Sequence, residues 1–221
     1  MFEKILRFCS PAGVQRLTDH VYYFIKLNAM FCLFTLPFQI LGILLQLNYA
    51  TSPFFILAML TAIPNVMVIF EQYQSPRNNF TLKAYLNQYL SFFKETYSWG
   101  VFFIGGLLLI VFEMRIIFFH VALRYIFPLF AFFSLMLIGS GIYHLFFKAG
   151  KPEERLGIFE LCFFSWKQAM YTVLSSSLAI FWFLSVCYFP FFSLAIGNSF
   201  FWYLIYRVLK AGAAKIEIRD Y

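Results

Sequence analysis

Phe24-Ile25-Lys26-Leu27-Asn28-Ala29-Met30-Phe31-Cys32-Leu33-Phe34-Thr35-Leu36-Pro37 is the stretch that decides how the chain reads. An aromatic residue precedes a lysine, a polar residue follows at Asn28, and the sequence then turns apolar until Pro37 interrupts it. Related entries recur at Phe92-Phe93-Lys94 and at Trp166-Lys167, each leading into a long apolar run. A lysine can snorkel to lipid headgroups while its stem stays in apolar surroundings, so this pattern marks entry into a membrane. The stretch predicts an all-α, multispanning integral membrane protein.

Composition agrees. Of 221 residues, 62% are hydrophobic and 12% are charged, and 33 are phenylalanine. Soluble domains carry about 25% charged residues, and a soluble core of this size cannot bury so many large apolar side chains. The surface is therefore apolar, which lipid accepts and water does not. One membrane domain covering residues 1–221 is the economical organisation. The net charge of +7 does not point to nucleic acid, because the basic residues are shared among the short segments between apolar runs. That distribution fits loops facing anionic lipid. Cys9, Cys32, Cys162 and Cys187 show no C-x-x-C spacing and read as small buried hydrophobes. The first apolar run starts near residue 21 and is too long for a signal-peptide core, so no cleavable leader is expected.

Outward from the opening stretch, Ser10-Pro11 reads as an N-cap followed by proline, and Val14, Leu17, Val21, Phe24 and Ile25 recur at helical spacing. An interfacial helix is predicted there. The first span, about 27–47, is long enough to cross the hydrocarbon core, at about 31 Å. Pro37 should kink it. Ser52-Pro53 opens a second span, about 53–70, with Pro64-Asn65 as a second mid-membrane break. Leu82, Tyr85, Leu86, Tyr89, Leu90 and Phe93 form an apolar stripe, which predicts an interfacial amphipathic helix preceding a third span at about 98–119. A fourth span is placed at about 125–147. Lys151-Pro152-Glu153-Glu154 reads as the start of another amphipathic helix. The apolar run from 171 suits two short spans, about 171–189 and 191–208; the alternative is one tilted span and an interfacial tail, making five. With six spans and both termini cytoplasmic, fifteen of the seventeen basic residues lie inside, and only Arg115 and Arg124 lie outside. The three entries also suggest three parallel units, each an interfacial helix followed by a hairpin.

Leu27-Asn28 with Leu36-Pro37, the short second span and Phe92-Phe93-Lys94 resemble the YesL-like family of bacterial integral membrane proteins, which carry a domain of unknown function. Phe164-Ser165-Trp166-Lys167-Gln168-Ala169 is similar to the second cytoplasmic entry of that family. Ser52-Pro53-Phe54-Phe55 departs from its Gly/Ala-rich start to the second span. The resemblance implies an accessory role in carbohydrate uptake, beside sugar transporters of the ATP-binding-cassette type, in the bacterial cytoplasmic membrane. It supplies no catalytic residue.

Chemistry is sparse. His20, His120 and His144 are scattered, and no zinc-protease or phosphate-loop motif is present. No cofactor, metal site or enzymatic reaction is expected. Glu113 is the one acid placed near a span, where an intramembrane acid would be functional. Asn28, Pro37, Pro64 and Asn65 are the sharper candidates, because broken helices expose carbonyls only where protein or a water cavity shelters them. They support the alternative function, a small-solute transporter or channel. Gly105-Gly106 and Gly139-Ser140-Gly141 suit close approach of another span. Lys94 and Lys167 mark the second and third entries. The expected partners are the bilayer, sugar-transporter subunits and a second copy of the chain.

Overall fold

The computed structural model describes residues 11–48, 50–76, 80–150, 158–192 and 197–217. Among them every regular element is helical: α1 (Pro11–Phe34), α2 (Leu36–Leu44), α3 (Ser52–Gln74), α4 (Leu82–Phe119), a 3-10 turn (Val121–Ile126), α5 (Phe127–Gly150), α6 (Ile158–Lys167), α7 (Ala169–Tyr188), a short turn of helix (Pro190–Phe192) and α8 (Asn198–Glu217). Four helices among the described residues are long and apolar enough to cross a membrane, and the bent pair α1–α2 makes a fifth if counted as one span.

The organising helix is α3. Its sequence is apolar around its whole circumference, and a helix of that kind belongs in an interior. Every residue from Ala62 to Phe70 is buried. α3 touches α1, α2, α4, α5 and α8. Around it, aromatic side chains meet largely edge to face: Phe31 on Trp182, Phe38 on Phe55, and Phe70 on both Phe146 and Trp202. Each such pair is worth about 0.5–1.5 kcal/mol beyond its buried area. α7 and α8 pack on each other as an antiparallel pair, with Phe181 against Phe201, Trp182 against Trp202, and Gly212 against Tyr171.

Close approaches are made at glycines. A Cβ on Gly139 would collide with the Thr172 side chain and lie 2.8 Å from Ser176 Oγ, so α5 and α7 touch backbone to side chain there. A Cβ on Gly42 would lie 2.6 Å from the Val186 carbonyl, which brings α2 against α7.

Several expectations are corrected. The predicted interfacial helix and third span are one uninterrupted helix, α4, of 38 residues. Nothing in its sequence stops a helix, since Phe93-Lys94-Glu95-Thr96-Tyr97-Ser98 holds neither proline nor glycine. It starts at Thr81, whose Oγ1 accepts from the Ala84 N–H (3.2 Å). Pro64 does not break α3, which runs through it. The kink expected at Pro37 is present, since α1 and α2 meet at a 75° bend. The helix placed at 191–208 runs instead over Asn198–Glu217 and holds Arg207, Lys210, Lys215 and Glu217, so it falls outside the helices apolar enough to span. The three lysine entries adopt different local structures: Lys26 sits within α1, Lys94 within the continuous α4, and Lys167 at the end of α6. Ser10 and the Lys151–Glu154 helix start lie outside the described residues.

Candidate functional site

The bend at Thr35 is where local chemistry and packing meet. Pro37 has no N–H to give to the Leu33 carbonyl, and its ring crowds that carbonyl, so the helix opens just before it. The chain nevertheless keeps hydrogen-bonding across the gap: Thr35 N–H donates to Phe31 O (3.0 Å) and Gln39 N–H to Thr35 O (3.0 Å). Phe31 O also accepts from Thr35 Oγ1 (2.8 Å) and from the side chain of Asn65 on α3 (2.8 Å). The Asn65 oxygen in turn accepts from the Tyr85 hydroxyl on α4. Asn65 and Tyr85 are fully buried, and one carboxamide therefore ties α1, α3 and α4 together.

One turn earlier, buried Asn28 accepts the backbone N–H of Ser199 at the start of α8 (3.1 Å), and the Tyr73 hydroxyl donates to Ser199 O (2.9 Å). Neighbouring Asn198 accepts from the Trp182 indole (2.6 Å) and donates to Cys32 Sγ (3.1 Å). Free N–H groups of a first helical turn normally need water or a cap; here buried Asn28 serves. A second chain of bonds runs from Tyr23 to Gln72 (3.2 Å), Gln72 to Gln88 (3.3 Å) and Gln88 to Glu71 (2.9 Å), joining α1, α3 and α4.

Of the residues singled out in sequence, Asn28 on α1 is bonded to Ser199 on α8 and Asn65 on α3 to Phe31 on α1, and Pro64 is buried beside Asn65 on α3, facing α4 near Thr96 and Gly100. Pro37 is exposed at the second position of α2. Lys94 and Glu113 are exposed on α4, Lys167 is exposed at the end of α6, and Gly139 is buried between α5 and α7. Those four do not join the asparagine cluster. Tyr85, Trp182, Asn198 and Ser199 belong to the cluster and went unread. The signal for Asn198 and Ser199 was no more than two polar residues within the long apolar run that begins at 171.

The second concave feature is apolar. A cavity of about 500 Å³ lies among α3, α4, α5 and α7, walled by side chains such as Ile56, Met59, Leu107, Ile138 and Phe183, with Asn48 and Ser52 at one end. It borders the asparagine cluster at Trp182, which belongs to both. Among the described residues no group of three His, Cys, Asp or Glu side chains is placed to hold a metal ion.

The polar cluster is thus a set of neutral donors and acceptors engaged with one another across helices. Such an arrangement fixes helices in register. No protein-family model, curated protein or solved structure matches this chain.

Proposed function

We propose that this chain is an accessory integral membrane protein, multispanning with both termini on the cytoplasmic side, that works by binding another membrane complex. The carbohydrate-uptake transporter named as that complex comes from the YesL-like resemblance of the first hundred residues. The observation that carries the accessory reading is the outward face of α4. Phe102, Leu109, Phe112, Ile116 and Phe119 are all exposed, at alternating spacings of three and four through Gly105, and outside the backbone of its own helix and its chain neighbours no atom lies within 4 Å of where a Gly105 side chain would begin. That is a seam with the periodicity of helix-on-helix packing and a small residue at its centre. The Gly139 patch, by contrast, is spent inside the bundle.

The transporter reading requires a polar path. The interior polar side chains Asn28, Asn65, Tyr85 and Asn198 are hydrogen-bonded between helices, and the cavity among α3, α4, α5 and α7 is walled by apolar groups. The accessory reading accommodates both observations.

Purification of the full chain from its native membrane in mild detergent tests this. A transporter subunit should co-purify, and Gly105→Leu should reduce its recovery about tenfold while leaving the melting temperature unchanged. If the chain purifies alone under conditions that preserve known transporter complexes, and its deletion leaves growth on oligosaccharides unchanged, the proposal is wrong. Solute flux through the protein alone in reconstituted vesicles would favour the transporter instead.

A further inference from the structure

The apolar cavity is independent of that proposal and has its own consequence. It extends along α3 from Ser52 to Val66, fourteen residues or about 21 Å of helix. One leaflet contributes about 15 Å of the hydrocarbon core, so the cavity is long enough for an acyl chain to lie in it. Its walls are aliphatic and aromatic, and the helices beside it carry exposed apolar residues, including Leu109, Phe133 and Leu137. The phase next to the cavity is therefore the bilayer interior. Polarity appears at the end formed by Asn48 and Ser52, where the chain passes from α2 to α3. There Asn48 Oδ1 accepts the N–H groups of Ala50 (2.9 Å) and Thr51 (3.0 Å), which fixes the carboxamide and leaves its NH2 as a donor.

An apolar slot of this length with a single polar mouth matches a two-part ligand, a hydrocarbon tail and an oxygen-rich head. We propose that the cavity holds one acyl chain of a diacyl membrane phospholipid, with its ester or phosphate oxygens at Asn48 and its tail running toward Trp182 and Trp202. A water-filled slot is disfavoured because its walls offer almost no hydrogen-bonding partners, and water enters cavities that supply two to four of them. The lipid is a bound component of the fold, exchanging more slowly than lipid on the outer surface.

Trp182 and Trp202 line the cavity and are buried from the outside, so they report on its contents. The full chain carrying Trp99→Phe and Trp166→Phe is placed in vesicles of phosphatidylcholine brominated in mid-chain. Trp182 and Trp202 fluorescence should be quenched at least twofold relative to unbrominated vesicles. Ala179→Phe, which projects into the cavity, should remove most of that quenching. Absence of quenching in the unfilled protein, or equal quenching after filling, would overturn the assignment. Lipid retained by the purified protein after exhaustive detergent exchange, counted by mass, gives a measurement that needs no filled variant. About one phospholipid per chain is expected, and none retained would also overturn it.

Discussion

Asn65 is the residue on which the interior turns. Its carboxamide closes two hydrogen bonds at once, one to the Phe31 carbonyl beside the bend and one to the Tyr85 hydroxyl. Interhelical hydrogen bonds in membranes average about 0.6 kcal/mol and reach about 1.7, and a buried group left without its partner costs about 1–3 kcal/mol. Asn65→Leu should therefore lower stability by about 2 kcal/mol, read as a lower melting temperature in detergent. Tyr85→Phe in the Asn65→Leu background should cost little more, because the hydroxyl has already lost its acceptor. A pair whose effects simply add would show that the two side chains act separately. Gly139→Leu should fail at folding, since Thr172 and Ser176 occupy the space a side chain needs. Gly105→Leu should melt like the unaltered protein. The asparagines were visible in the sequence as polar residues in apolar runs. Their acceptors and donors were not, because Phe31 O is backbone and Tyr85 reads as one aromatic among many on a stripe.

At the scale of elements, the two helix interruptions and the one long helix carry the lesson. Thr35 and Gln168 both interrupt a helix while hydrogen bonds continue across: Gln168 N–H donates to Phe164 O (3.0 Å) and Thr172 N–H to Gln168 O (3.0 Å), as at Thr35. Only the first was legible, through Pro37; nothing of that kind precedes Ala169. Replacing Pro37 with alanine restores a donor for the Leu33 carbonyl. Spin labels at exposed Ile25 and Leu44 should then move apart as the 75° bend relaxes toward straight. An unchanged distance would show that Thr35 and Asn65 hold the bend without the proline. For α4 the contrast is between one rigid rod and two jointed pieces. Tyr97 is exposed at the predicted joint. Tyr97→Pro should cost about 3 kcal/mol in a continuous helix; a joint would tolerate it. The apolar stripe over 82–93 was read correctly as helix. Its separation from the span beyond rested on Lys94 as a membrane-entry lysine, and charge alone does not end a helix.

For the whole molecule, the helical class and the apolar, membrane-suited spans were plain in composition, while the count was not. α8 shows why. Its outer residues Arg207 and Lys210 lie over the rings of Tyr203 and Tyr206, while Trp202, Ile205 and Leu209 are buried. A helix with one buried face and one basic face reads as a span or as a surface helix depending on what covers it, and only packing answers that. A reporter fused after Tyr221 should be active on the cytoplasmic side, the side that holds the basic segments; activity on the outer side would require an odd number of crossings.

The bond between Asn28 and Ser199 spans 171 residues of sequence. A ribosome adding about 5–20 residues per second reaches Ser199 roughly ten to thirty seconds after Asn28. For that interval the first helix lacks the α8 backbone N–H that Asn28 accepts in the folded chain. The fold is therefore sealed late, when α8 arrives to close against α1.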